Sequence, residues 1–211
     1  MPIRPQPGSP LLTERLDLRV PDAADLEDLW EIHGDPRTFA LDSTRPLERR
    51  EQMRAVLAAW LADRARDGFG YATVRLRPGA RTPSSLHGES EPATVGPADA
   101  LFGTARVVGV CGLTRHRLAG SGEEILSVYY RFRPEVQGAG IATEALGALL
   151  AEAGRELGPR EAVVVTDPAN APSRALAERL GFAATDRHGP GKGGRIVLAR
   201  TLPAPSTKEP A

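Results

Sequence analysis

Cysteine is nearly absent from this chain, and lysine with it. Cys111 is the single thiol in 211 residues, which excludes an intrachain disulfide and any cysteine-based zinc cluster. Such usage suits a reducing interior. Lys192 and Lys208 are the only lysines, so arginine carries almost all of the basic charge. The formal net charge is zero, which leaves no basic footprint for nucleic acid and no acidic tail. No run approaches the ~20 apolar residues of a membrane span. The opening MPIRPQPGSPLLTERL lacks the apolar stretch of a signal peptide. These absences set the expectation of a soluble, cytoplasmic protein with neither nucleic acid nor membrane as partner. The length suits one well-buried domain. A homodimer is the default assembly, since dimers are the commonest soluble homo-oligomers.

What is present reads as alternating strands and helices. Leu12 to Val20 alternates apolar and charged residues, as a half-buried strand does. Asp22 is placed to cap a helix, with Asp25 three residues on completing a capping box. Leu26, Leu29, Trp30 and His33 follow at helical spacing until Gly34-Asp35-Pro36 stops them. A second helix is predicted over about Pro46 to Ala65, striped by Met53, Val56, Leu57, Trp60 and Leu61. Strands are predicted at Tyr71–Leu76, Phe102–Leu113 and Ile125–Phe132, with a turn at Leu118–Glu123. Gly109 and Gly112 mark bulges or close approaches in the second of these. Residues 77–100 are rich in Pro, Gly and Ser, and read as a long exposed insertion within one domain spanning 1–203. Residues 204–211 read as a disordered tail. The run Ala162 to Thr166 is apolar throughout, as a strand covered on both faces requires. A short helix from Ala171 to Leu180 and strands at Phe182–Thr185 and Arg195–Leu202 complete the order. The order predicts an α/β (α+β) fold: a mixed, mostly antiparallel sheet with helices on both faces.

The most informative segment is Gln137-Gly138-Ala139-Gly140-Ile141-Ala142-Thr143. It joins the strand ending at Phe132 to a helix predicted over Ile141–Leu157. Two glycines permit a tight turn and close approach to a ligand. A helix N-terminus adds unpaired N–H groups and the positive end of its dipole. Together they form a cradle for linked phosphates.

Three separated blocks carry a resemblance. The first is Thr13-Glu14-Arg15-Leu16-Asp17-Leu18-Arg19 with Asp22, Ala23 and Asp25 after it; the second is Gln137-x-x-Gly140-x-Ala142 extended by Thr143-Glu144-Ala145; the third is Asn170-x-x-Ser173 running to Glu178-Arg179-Leu180-Gly181-Phe182. In this order the blocks resemble the GNAT N-acetyltransferase superfamily, and within it the ribosomal-protein-acetyltransferase (RimJ/RimL-like) branch, over roughly residues 12–202.

The resemblance implies acetyl-CoA as co-substrate, a primary amine as acceptor and no metal. It implies that backbone N–H groups from Gln137 through Gly138, Ala139, Gly140, Ile141, Ala142 and Thr143 bind the pyrophosphate. It implies a cleft where the strand Ser127–Phe132 splays from Ala162–Thr166. Backbone groups of Val128, Tyr129 and Tyr130 then pair with the pantetheine arm and polarise the thioester carbonyl. Asn170 and Ser173 lie near the arm and the sulfur, with Ser173 as candidate donor to the leaving thiolate. The branch often carries a glutamate where this chain has Ser127, so Ser127 and the upstream Glu123 and Glu124 stand as candidates for the base position.

Other readings compete. The Glu-to-Ser difference at Ser127 fits a non-catalytic acyl-CoA-binding regulatory module. Gly138-x-Gly140 also suggests a dinucleotide-binding oxidoreductase, against which stand the late position of the turn and Thr143 at the third glycine position. Cys111, in an apolar strand, reads as an inert buried thiol. His33 reads as the end of a helix stripe, and His116 as a surface-loop residue. Gly189 to Gly194 lacks Walker spacing and reads as a hairpin tip.

Overall fold

The computed structural model describes residues 10–78, 105–117, 124–189 and 194–203. Alternating segments pair as the sequence predicts, with one break. Thr13 turns the first of them: its N–H donates to the Leu16 carbonyl at 3.0 Å and its hydroxyl accepts from the Leu16 N–H at 2.9 Å. The strand expected over Leu12–Val20 is therefore two, β1 (Leu11–Leu12) and β2 (Leu16–Arg19). There follow β3 (Tyr71–Leu76), β4 (Val107–Arg117), β5 (Glu124–Phe132), β6 (Glu161–Thr166), β7 (Ala183–His188) and β8 (Ile196–Thr201). Their spatial order is β1-β2-β3-β4-β5-β6-β8-β7. Every neighbouring pair is antiparallel except β5 and β6, which run parallel. This is the mixed, mostly antiparallel sheet that the element order predicts.

The helices are α1 (Leu26–Gly34), α2 (Arg50–Asp67), α3 (Ile141–Leu157) and α4 (Ala171–Arg179). Asp22 caps a short 3-10 turn, Ala23–Asp25, with the capping box present, and that turn leads into α1. α2 starts four residues later than predicted, and Leu61, expected in its stripe, is 38% exposed at the edge of the buried face. Successive residues of a strand face opposite sides of a sheet. Accordingly Val128 and Tyr130 pack with α3 and α4 in the main core, whereas Tyr129 packs with α1 and α2 in a second one. Helices therefore cover both faces. Fully buried Leu16, Leu126, Leu146, Leu150 and Leu198 anchor the main core, and Leu29, Ile32 and Met53 the second.

β4 extends to Arg117 because it pairs with β5 along its whole length, Arg117 opposite Glu124. His116 therefore sits in a strand, exposed, opposite Ile125. A Cβ at Gly109 would fall inside the Phe132 ring, and one at Gly112 would strike the Tyr71 backbone, so both glycines mark the close approaches expected of them. The inserted loop from residue 79 onward, the tail 204–211, the turn 118–123 and residues 190–193 lie outside the described residues. No described helix is long and apolar enough to cross a membrane.

Candidate functional site

β5 and β6 pair only at Leu126 with Ala162 and Ser127 with Val163. Beyond these two positions the register ends. A cleft of about 1470 Å³ opens there, lined by Val128 to Phe132 on one side and Val164 to Thr166 on the other. A single small-molecule site is typically ~300–1,000 Å³. The cleft has room for two ligands meeting end to end, and it reaches both faces of the sheet.

One end of the cleft is built from backbone. Pro134–Val136 make a 3-10 turn, and Gly138 and Gly140 take φ of +78° and +75°, a region that side chains with a Cβ resist. Gly140 precedes α3, and the Glu144 N–H donates to the Gly140 carbonyl at 3.0 Å. The N–H groups of Gly138, Gly140, Ile141, Ala142 and Thr143 find no acceptor among the described residues. All five residues line the cleft, as does Gln137. The first N–H groups of a helix have no intrahelical acceptor, and a row of them facing a cleft suits an anionic ligand. Ala139 is the one residue of the predicted cradle that does not line the cleft; its carbonyl accepts from Arg15 Nη1 at 2.9 Å.

Arg15 also lines the cleft and fastens the cradle. Its Nε pairs with Glu144 Oε2 at 2.6 Å, its backbone N–H donates to Glu144 Oε1 at 2.9 Å, and the Thr13 hydroxyl bonds the same carboxylate. Burial pushes the Glu144 carboxyl up, but the bonds from Thr13 and Arg15 outweigh it and hold it below the ordinary range. Two blocks far apart in sequence thus interlock. The sequence reading missed Arg15 as a site residue; a strand-leading arginine gives no signal of where its side chain goes.

The wall on the α3/α4 face carries a pair of hydroxyls. Tyr130 Oη lies 2.6 Å from Ser173 Oγ, and the bond bridges β5 to α4. Asn170 caps α4, its side chain accepting from the Ser173 N–H at 3.1 Å. The cap thus belongs to Asn170, and the Ser173 hydroxyl turns to Tyr130. Burial raises the Tyr130 phenol, the bond to Ser173 opposing it. Tyr130, Asn170 and Ser173 all line the cleft.

The opposite wall is built from side chains. His33 Nδ1 lies 2.8 Å from the Leu29 carbonyl, and its Nε2 lies 3.1 Å from Tyr129 Oη. A carbonyl only accepts, so Nδ1 carries the proton and Nε2 takes one from the Tyr129 phenol. Arg131 Nε then donates to the Tyr129 oxygen at 3.1 Å. The chain has one direction throughout. Burial lowers His33 to about 4, with the Arg131 charge adding to it and the Leu29 bond opposing. Arg131 is itself buried, held by Asp42 at 2.9 Å, by the Thr38 carbonyl and by the Phe39 ring 3.5 Å away. Trp60 stacks on Tyr71 at 4.3 Å, and Tyr71 meets Tyr129 edge-on at 5.5 Å. His33 is thus a cleft residue as well as the end of a helix stripe.

Glu124 and Ser127 do not line the cleft. Glu124 begins β5 and its carboxylate is held by Arg115, with Arg160 at 3.6 Å. At ~3.3 Å per residue it lies ~13 Å along the strand from Val128. That placement removes Glu124 from the base position. Ser127 occupies the last paired position of β5 against β6, opposite Thr114 of β4, just short of the opening. Glu123 lies outside the described residues. Cys111 is fully buried and its thiol is pushed up to about 12 by desolvation, so it is inert. Among the described residues no group of His, Cys, Asp and Glu could hold a metal.

A model of the acetyltransferase (GNAT) domain matches residues 15–183. No curated protein matches the chain. Among solved structures, an acetyltransferase from Agrobacterium tumefaciens is 22% identical with a TM-score of 0.65, covering 90% of this chain and 93% of its own. Mycobacterium smegmatis RimJ in complex with CoA-disulfide is 18% identical with a TM-score of 0.60, covering 88% and 81%. Spermidine N-acetyltransferase from Vibrio cholerae, in complex with CoA and spermine, is 14% identical with a TM-score of 0.61, covering 90% and 97%. Identities this low speak for the fold alone. The domain match runs from the Arg15 clasp through the cradle and α4 to the start of β7, so the chain belongs to the GNAT acetyltransferase family.

Proposed function

We propose that this protein transfers an acetyl group from acetyl-CoA to a primary amine, by direct attack within a ternary complex. The observation that carries the reading is the row of unpaired N–H groups at the start of α3, opening into the cleft between β5 and β6. Gln137 to Thr143, with Arg15 behind them, suit a pyrophosphate in charge and in backbone geometry. Val128, Tyr129 and Tyr130 have left the β6 register, so their backbone groups on that side suit the amides of a pantetheine arm. The CoA bound in RimJ and in the spermidine enzyme supports this co-substrate.

Acetyl-CoA supplies the acetyl group as a thioester: the amine nitrogen bonds the carbonyl carbon and the carbon–sulfur bond breaks. A backbone N–H near Val128 to Tyr130 polarises the carbonyl, an interaction typically worth ~3 kcal/mol in the transition state. The Tyr130–Ser173 hydroxyl pair hands a proton to the departing thiolate. The amine surrenders its own proton to solvent, since Asp42, Asp167 and Glu144, the carboxylates that line the cleft, are all engaged.

The acceptor is a protein N-terminus or a small-molecule amine. The blocks around Arg15 and Gly140 favour the RimJ/RimL-like branch, and we read the chain as one soluble cytoplasmic domain. The engaged carboxylates also favour a second reading, a non-catalytic acyl-CoA-binding module. Calorimetric titration with acetyl-CoA, with NADH as control, tests both. Saturable acetyl-CoA binding alone is expected, and its absence would remove both readings. Release of free CoA with an amine panel then separates catalysis from binding.

A further inference from the structure

The donor end of the cleft is accounted for; the other end has a charge pattern of its own. The loop from Phe39 to Leu47 crosses it. The Leu47 N–H donates to the His33 carbonyl at 2.8 Å, and the Ser43 N–H donates to Asp167 at 3.0 Å. The loop therefore spans from the end of α1 to the end of β6. Its lining is apolar and aromatic at the base, with Trp60, Tyr71 and Tyr129, and Leu41 stands 47% exposed at the rim. An exposed leucine facing a cleft is available to cover an apolar ligand.

The charges there are unevenly committed. Asp42 holds Arg131 at 2.9 Å and accepts from the Thr44 N–H at 2.9 Å. Burial pushes the Asp42 carboxyl up, but the bonds from Thr44 and Arg131 outweigh it and hold it below its ordinary value. Asp167 is taken by the Ser43 N–H. Of the arginines, Arg37 is engaged by Asp35 and Glu135 at 2.7 and 2.9 Å. Arg195 bonds the Ser43 hydroxyl, while the carboxylates of Asp42 and Asp167 stand off at 3.7 and 3.9 Å. Arg45 lines the cleft and has no partner among the described residues. The acceptor end thus offers an uncommitted guanidinium and a loosely paired one, and no uncommitted carboxylate among the described residues.

We propose that the acceptor is an amine that carries a carboxylate on an aromatic or apolar body, with Arg45, backed by Arg195, reading the carboxylate. A guanidinium pairs with a carboxylate through two parallel N–H···O bonds, which fixes orientation as well as charge. A polyamine would bring positive charge to arginines and find no free acid. The proposal rests on the acetyltransferase reading above. The carboxylate has two sources of the same chemistry, a free amino acid or an acidic peptide with a free α-amine.

The test measures CoA release at saturating acetyl-CoA with matched acceptors. Phenylalanine is compared with 2-phenylethylamine, and the peptide amide Ala-Glu-Glu-Phe with Ala-Gln-Gln-Phe; spermidine is the polycation. We expect kcat/KM at least tenfold higher for the acidic member of one pair, and the pair that responds identifies the source. Arg45→Gln should cut that preference about tenfold through KM, with kcat within twofold, and Arg45→Lys should restore part of it. Arg45 is exposed, so neither change threatens folding. Equal turnover within both pairs, better turnover of spermidine, or a preference untouched by Arg45→Gln overturns the proposal. Two further readouts separate it from the donor reading. Acetyl-CoA that binds saturably while no acidic amine is acetylated overturns this proposal and spares that reading. If acetyl-CoA does not bind, that reading fails. Titration with N-acetylphenylalanine then tests the acceptor end directly: binding weakened about tenfold in Arg45→Gln supports the proposal, and no binding overturns it.

Discussion

The two walls of the cleft are made of different material. The donor wall is mostly backbone: left-handed glycines, a helix start and a strand edge that has lost its neighbour. The acceptor wall is side chains from five separate segments, His33, Phe39, Trp60, Tyr71, Tyr129 and Arg131 among them. Backbone recognition needs only that certain positions lack a Cβ and that a helix begins there. Side-chain recognition needs every element to arrive in register. The first tolerates sequence change almost everywhere outside the turn, and the second is where a family can change its acceptor.

The sharpest way to break this contrast is Gly140→Glu. A Cβ at φ +75° strains the turn, and the new carboxylate faces the site of the pyrophosphate with Arg15 3.4 Å from that Cβ. We expect calorimetry to find no measurable acetyl-CoA binding, while Arg45→Gln on the other wall keeps the affinity within about twofold. Unchanged affinity in Gly140→Glu would remove the cradle.

The acceptor wall should instead show itself through pH. His33 is buried and neutral, with its proton affinity lowered from 6.5 to about 4. Between these values the unfolded chain binds a proton there and the folded chain does not. Stability is then fully present above about pH 6.5 and lost as pH falls toward 4, by about 3 kcal/mol at most. Urea unfolding at stepped pH should show that slope in the parent and a flatter one in His33→Gln. Equal slopes would mean the imidazole is not the group that titrates.

A smaller effect joins the walls at the reacting centre. Tyr130→Phe removes the phenol from the pair with Ser173, and kcat should fall about tenfold to a hundredfold with acetyl-CoA affinity retained. Ser173→Ala should do the same if the pair acts as a unit, and a loss in affinity alone would make the pair structural. The smallest effect belongs to Glu124→Gln. Its ion pairs with Arg115 and Arg160 are partly exposed, so stability should change by no more than ~1 kcal/mol and kcat/KM by about twofold. A hundredfold loss of activity would return Glu124 to the site.

The same division explains what could be read without the structure. α3 and β3 were legible to the residue, because periodicity and β-branching are local. The turn before α3 was legible because Gly138 and Gly140 sit directly before a helix. Resemblance pointed to Tyr130 and Ser173, which both line the cleft, but not to the bond between them. His33, Arg131 and Arg15 were out of reach as a set: the His33–Tyr129 contact spans 96 residues and the Arg131–Thr38 contact 93. No local pattern encodes a pairing at that distance. Glu124 was misplaced for a related reason. Position along a strand decides whether a carboxylate meets the cleft, and the two-residue register between β5 and β6 is invisible in sequence.

The clasp between Thr13, Arg15 and Glu144 has a consequence for the order of assembly. Its partners are separated by 129 to 131 residues, so β2 and the start of α3 meet only after most of the chain has been synthesised. The turn proposed for the phosphates is braced by a residue made among the first. A chain halted before α3 emerges would own every residue of the acceptor-side helices and bind no CoA. Coenzyme affinity in this protein is therefore a receipt for completed folding, issued only when the first strands and α3 have met.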